Sequence, residues 1–214
     1  MKVCEAMVKC LEAEGVLDIF GYPGAAICPF YDALSRSSIR HILVRSEQNA
    51  AHAASGYSRV SGRCGVCVAT SGPGATNLIS GIASAYMDSI PIVVLTGQVD
   101  SSLLGRDVFQ EVDITGAVEP FIKHSFLVKD PAQICRAMKE AFYIASTGRP
   151  GPVLVDVPVD VQERETRFSY PAEIQIRSYR PSSKGHTGQI RRAAEALRYA
   201  DRPLLCVGGG AFAP

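Results

Sequence analysis

Val66-Cys67-Val68-Ala69-Thr70-Ser71-Gly72-Pro73-Gly74-Ala75-Thr76-Asn77 passes from an apolar, β-branched run through glycine and proline into a helix of small residues. A run apolar on both faces reads as a strand buried inside a parallel sheet, and the glycines punctuate the turn that follows. Upstream, Ile42-Leu43-Val44 gives way in the same manner to Glu47 and the alanine-rich Ala50-Ala51-His52-Ala53-Ala54. Two strand-to-helix junctions in one layer put both loops at the carboxyl ends of parallel strands, where ligands of open sheets collect. Glu47 stands at one of those ends. A carboxylate at a tightly packing junction is costly to desolvate, which marks it as a candidate functional group.

Working outward, residues 3–14 form a helix with the stripe Val3, Met7, Cys10 and Leu11, stopped by Gly15. A strand at Asp18–Gly21, the turn Tyr22–Ala26 and a helix near Phe30–Ser35 follow. Strand 41–45 leads into helix 48–61, strand 65–70 into helix 75–87, and Ile92–Thr96 is a further buried strand. Residues 97–115 are polar and irregular, too long for a plain connector, which predicts a functional loop. Helix 131–146 and strand Val153–Val157 close the pattern. Strands alternating with helices predict an α/β fold, a parallel sheet flanked by helices on both faces.

After Pro158 the composition shifts. The expected division is a first domain over 1–160, a polar, proline-spotted linker over 161–188, and the truncated beginning of a second α/β domain over 189–214. That last part is predicted to hold a helix at 189–200 and a strand at Pro203–Val207 before Gly208-Gly209-Gly210. A lone helix–strand pair cannot bury a core, so the chain reads as a fragment.

The 214 residues carry a net charge of +1 with acids and bases interspersed, which argues against nucleic-acid and membrane-binding surfaces. No signal peptide or bilayer-spanning run is visible. Seven cysteines sit mostly within apolar runs, as reduced thiols do in a cytoplasmic protein. Cys64-Gly-Val-Cys67 has the spacing of a redox or zinc pair, but no second pair completes it. His41, His52, His124 and His186 lack partners at metal spacing, so no metal site is expected in this chain. Ser71-Gly72-Pro73-Gly74 invites a phosphate-binding reading, yet it has neither G-x-G-x-x-G nor P-loop spacing.

Arg45–Arg59, with Glu47 near its start, resembles the cofactor-activating segment of thiamine-diphosphate enzymes. Together with Thr70–Asn77, Gly97-Gln98-Val99, Phe109-Gln110-Glu111, Ile122-Lys123-His124 and Gly148-Arg149-Pro150-Gly151-Pro152, it is similar to the acetolactate synthase large-subunit family. The resemblance runs from about residue 3 to 160 and resumes over 190–210. It implies that the first domain binds the thiamine pyrimidine and that the second belongs to a central, FAD-associated domain. In such enzymes a carboxyl group hydrogen-bonded to the pyrimidine N1′ promotes the imino form that takes the proton from the reactive carbon. Glu47 matches that carboxyl. Local sequence alone equally allows a glutamate that only complements a helix dipole.

The resemblance implies further roles. Ser89 and Gln110 match thiamine-diphosphate contacts, and Gly24, Pro73 and Asn77 lie near the pyrimidine side. Phe109 and Lys123 match substrate-lining positions, while Arg149 and Gly208 match contacts to a FAD that does no redox work. Two departures stand out: Ala25 where the family more often has glycine, and Val159 where plant-type members carry lysine. Mg2+ would be held by a domain absent from this chain. The implied activity is condensation of two pyruvates, or of pyruvate and 2-oxobutyrate, to 2-acetohydroxy acids with loss of CO2, in branched-chain amino-acid biosynthesis. Implied partners are a second copy (homodimer or tetramer) and a regulatory small subunit. Two alternatives stay open: another thiamine-diphosphate decarboxylase or carboligase, and a non-catalytic or split-enzyme subunit lacking the diphosphate and metal domain.

Overall fold

The computed structural model describes residues 1–182 and 184–211. Chain contacts divide these into two units, at Met1–Ile176 and from Arg177 onward. The first unit is built on six strands, β1 (Asp18–Gly21), β2 (Arg40–Leu43), β3 (Gly65–Ala69), β4 (Ile92–Gln98), β5 (His124–Leu127) and β6 (Pro152–Pro158). They form one sheet in the order β2-β1-β3-β4-β6-β5, and every neighbouring pair is parallel. The predicted α/β architecture is the one observed.

Strands β3, β4 and β6 are buried along their whole length, as their mostly apolar, β-branched sequences suit strands covered on both faces. β2 and β5 lie at the edges, and their burial is correspondingly poor. β5 was not counted in the alternating pattern, although the run after His124 is strand-like; its four residues His124-Ser-Phe-Leu sit half in solvent and lack a continuous apolar run. β2 begins at Arg40 and stops at Leu43, so Val44 and Arg45 fall in the loop after it.

Helices α1 (Val3–Ala13), α2 (Cys28–Leu34), α3 (Glu47–Ser61), α4 (Pro73–Asn77), α5 (Ile79–Met87), α6 (Ile114–Val118), α7 (Ile134–Ser146) and α8 (Val159–Glu163) cover the sheet. The stripe of α1 is buried as its periodicity predicts, and Gly15 ends it at φ +69°. The helix expected over 75–87 is two helices. Leu78 donates to the Ala75 carbonyl, three residues back, so the chain tightens there and changes axis between α4 and α5. The irregular loop expected at 97–115 is real but shorter at both ends, since β4 runs to Gln98 and α6 starts at Ile114. Small side chains let α3 approach closely: Ala50, Ala51 and Ala54 are fully buried beside β3 and α5.

In the unit from Arg177, α9 (Thr187–Tyr199) forms where a helix was expected. The strand expected at Pro203–Val207 does not form. Leu204, Leu205 and Val207 are exposed, because no other strand among the described residues of that unit offers a ladder of hydrogen bonds. The end of the predicted 189–214 segment, like Ser183 of the linker, lies outside the described residues.

Candidate active site at the carboxyl edge of the sheet

The connection from β1 leads outward to β2, whereas β3 connects the other way to β4. Neighbouring strands whose exits diverge leave a crevice beyond their carboxyl ends, the place where open α/β sheets bind ligands. The loops after β1 and β3 meet there. The Ala26 amide donates to Thr70 Oγ1 at 3.2 Å, and a Cβ on Gly24 would stand 2.5 Å from Thr70 Cγ2. Gly24 is extended, so bare space rather than an unusual backbone dictates glycine.

Glu47 opens α3 on the same edge, following the extended Ser46. A carboxylate at a helix start is favoured by the dipole and by the unpaired amides of the first turn. Its side chain is half-buried. Asn77 Nδ2, at the end of α4, donates to Glu47 Oε2 at 2.9 Å. Oε1 accepts no hydrogen bond among the described residues, and lies 3.4 Å from where a Cβ on Gly74 would sit. Pro73 occupies the first turn of α4, and Gly72 precedes it at φ +57°, a conformation that favours glycine. Gly24, Glu47, Pro73 and Asn77 are thereby brought to one edge.

The loop after β4 closes against this group. A Cβ on Gly72 would come within 2.6 Å of the Gln110 carbonyl oxygen, so Gln110 rests directly on the Gly72 turn. Gln110 itself adopts φ +59° and its neighbour Phe109 is 87% exposed. The loop is tied by Glu111, whose carboxylate accepts from the amides of Gly105, Arg106 and Val108. These backbone donors, Gly105 foremost, hold its carboxyl below the ordinary glutamate value.

Three residues that the sequence reading linked to cofactor or substrate lie elsewhere. Ser89 precedes β4, Lys123 precedes β5 and Arg149 precedes β6, all on the amino edge. Seven-residue β4 separates this edge from the site by about 20 Å. Arg149 Nε donates to Ser89 Oγ at 2.8 Å and Nη2 to the Met87 carbonyl at 3.3 Å, with the guanidinium 5.7 Å from the Tyr86 ring centre. The Lys123 ammonium donates to the carbonyls of Ile144 and Thr147 at the end of α7, the latter at 2.8 Å. Gly208 belongs to the other unit.

Three groups were given no role in the sequence reading. Thr70 supplies the hydroxyl that joins the two crevice loops. Gln98 and Asp156 lie buried just beneath the site, and burial pushes the Asp156 carboxyl up to about 7. A lone acid inside the apolar run Val153–Val157 was the available signal. Among the described residues no three His, Cys, Asp or Glu side chains gather as metal ligands, and no helix is long and apolar enough to cross a membrane. Burial raises the Cys64 thiol and pushes Cys67 up to about 12, which keeps both protonated.

Residues 1–117 match the family described as thiamine pyrophosphate enzyme, N-terminal TPP binding domain. Relatives include a probable acetolactate synthase large subunit of Methanocaldococcus jannaschii, 53% identical over 213 residues, covering 98% of this chain and 36% of its own length. The acetolactate synthase large subunit of Buchnera aphidicola is 53% identical over 209 residues, 96% of this chain and 37% of its own length. That of Corynebacterium glutamicum is 53% identical over 211 residues, 98% of this chain and 34% of its own length. The chain thus spans about a third of the relatives it matches.

Proposed function

This chain belongs to the thiamine pyrophosphate enzyme family through its N-terminal cofactor-binding domain, and on that premise we propose that it forms the pyrimidine-side part of an acetolactate synthase large subunit. The reaction is transfer of the two-carbon unit of pyruvate, after loss of CO2, to a second pyruvate or to 2-oxobutyrate. The observation that carries this reading is the half-buried Glu47 carboxylate at the crevice, with one oxygen held by Asn77 and the other unengaged among the described residues.

The residues fit the cofactor. A Cβ on Gly24 or Gly74 would strike Thr70, so their two loops pack closely at the crevice, and the half-buried Glu47 carboxylate beside Gly74 is the group that would meet the pyrimidine. Bound thiamine diphosphate supplies an acidic carbon and an electron sink for decarboxylating a 2-oxo acid. Glu47 Oε1 holds or releases the proton exchanged with the pyrimidine N1′, while Asn77 keeps Oε2 from turning into that role. Pro73 and the Gly72 turn fix α4 and hence Asn77. Gln110 covers the crevice and contacts the cofactor, and Phe109 offers an apolar surface to the second 2-oxo acid. We assign Lys123 to capping α7 and Ser89 to the Arg149 cluster, since one thiamine at Glu47 would not reach the opposite edge of the same domain.

Non-redox FAD, contacted through Arg149 and Gly208, and Mg2+ held by a part of the enzyme beyond this chain complete the proposal. So do the division at about 160 and 188 into pyrimidine domain, linker and central domain, a homodimer or tetramer formed through the pyrimidine domain, a regulatory small subunit and a cytoplasmic location. The 214 residues alone are inactive on this reading, because the diphosphate end supplies most of the charged grip. The test is Glu47→Gln in the whole polypeptide that carries this sequence, assayed for acetolactate from pyruvate. The fold should survive and turnover should fall by at least about a hundredfold; near-normal turnover would overturn the assignment.

A further inference from the structure

Asp156 lies inside β6, 1% exposed, paired across the ladder with Thr96 of β4. Its Oδ1 accepts from Thr96 Oγ1 at 2.7 Å and its Oδ2 from Gln98 Nε2 at 3.0 Å. The same Gln98 nitrogen donates its second hydrogen to the Val112 carbonyl at 2.9 Å, and Gln98 Oε1 accepts from the Val99 amide at 2.9 Å. Gln98 has thus used both donors and its acceptor, at 3% exposure, and can hold only one orientation. Val112 is the point where the loop after β4 returns to the fold. Two residues before it, Gln110 rests on Gly72, and Gly74 of the same turn borders Glu47 Oε1. A continuous set of contacts therefore runs from a buried acid to the crevice.

We propose that Asp156 is a positioning residue, which through Gln98 fixes the backbone at Val112 and so seats Phe109 and Gln110 over the Glu47 crevice. The link to thiamine rests on the proposed function; the coupling from Asp156 to Val112 does not. The acid serves in either protonation state. Ionised, it accepts from both partners; neutral, it donates from Oδ1 to the Thr96 hydroxyl and still accepts from Gln98 on Oδ2. Asparagine can do the same with its amide turned toward Thr96. An aliphatic residue cannot, and leaves a buried Gln98 N–H unmet, a loss met by turning the amide and releasing Val112. A purely structural stitch between β4 and β6 would weaken the fold as a whole and leave the loop as it is.

The experiment uses the whole polypeptide carrying this sequence, with thiamine diphosphate and Mg2+, in the variants Gln98→Ala, Asp156→Ala, both together, and Asp156→Asn. Amide hydrogen exchange over residues 105–113 is read beside the KM for thiamine diphosphate and kcat with pyruvate. Gln98→Ala and Asp156→Ala should each speed exchange at residues 110–112 by about tenfold, or about 1.4 kcal/mol of local opening. The double variant should go no further, because both act through one contact. Asp156→Asn should exchange like the unchanged protein. In the alanine variants, but not in Asp156→Asn, the cofactor KM should rise about tenfold while kcat stays within about threefold. Unchanged exchange in Gln98→Ala, additive effects, or an Asp156→Asn that behaves like Asp156→Ala would each overturn the proposal. Should Asp156→Ala fail to fold, Gln98→Ala decides alone, since it leaves the Asp156–Thr96 bond in place. An unaltered protein with no thiamine-dependent turnover of pyruvate would sink the proposed function, while exchange would still decide the coupling.

Discussion

The Asn77 amide reaches across thirty residues of sequence to Glu47 Oε2 at 2.9 Å, joining the end of α4 to the start of α3. The bond decides which carboxylate oxygen is left for a ligand. Asn77→Ala keeps the acid but lets it swing, and misplacement of a reacting group by about 1 Å costs on the order of a hundredfold. We expect kcat with pyruvate to fall between about tenfold and a hundredfold, with little change in thermal midpoint because Asn77 is exposed. An unaltered kcat would make Asn77 a surface residue.

A methyl group at Gly74 would clash with Thr70 Cγ2 at 2.8 Å and touch Glu47 Oε1 at 3.4 Å. Gly74→Ala should therefore destabilise by about 1–3 kcal/mol and impair activity together. Thr70→Ser removes the offending methyl while keeping the hydroxyl that accepts from Ala26. The pair Gly74→Ala and Thr70→Ser should recover most of the lost stability in chemical denaturation. Failure to recover would mean that the strain lies in the backbone.

Burial penalises the ionised form of Asp156 and pushes its carboxyl up from the ordinary 3.8 to about 7; Thr96 and Gln98 oppose the rise and Asp113 adds to it. Above the ordinary value the unfolded chain gives up a proton that the folded chain retains. Stability from this group is therefore complete below about pH 4 and is lost as pH rises toward 7, then levels off. Asp156→Asn has no such proton. Denaturant midpoints followed from about pH 5 to 8 should fall more steeply for the unaltered protein than for the variant; equal slopes would show that Asp156 does not titrate there.

Lys123 bonds to the last carbonyls of α7, where a cation offsets the negative end of the helix. Lys123→Met should lower the thermal midpoint by an amount equivalent to about 1 kcal/mol and leave the KM for pyruvate unchanged. A raised KM with an intact midpoint would return Lys123 to the substrate path.

The presence and parallel arrangement of β1, β3, β4 and β6 were legible, because short apolar runs alternating with helical segments admit few other readings; their order in the sheet was not. Edge strand β5 was not, since half its side chains face water. The crevice residues could be found because Glu47 and the Gly72–Gly74 turn follow directly on their strands. Distances between loops could not be read. Ser89 and Gln110 were both linked to the cofactor through the resemblance, and the structure places Ser89 before β4 and Gln110 in the loop after it, at opposite edges of the sheet. Leu204 and Leu205 had a strand's composition, but a ladder needs a neighbour that local sequence does not supply.

The length of β4 has one more consequence. Because a rigid, fully buried ribbon stands between the Arg149–Ser89 pair and Glu47, changes at one end have no shared partner at the other and should combine independently. Selection or engineering could then rework the Arg149–Ser89 pair, for a new ligand or a new neighbour, without retuning the reacting end.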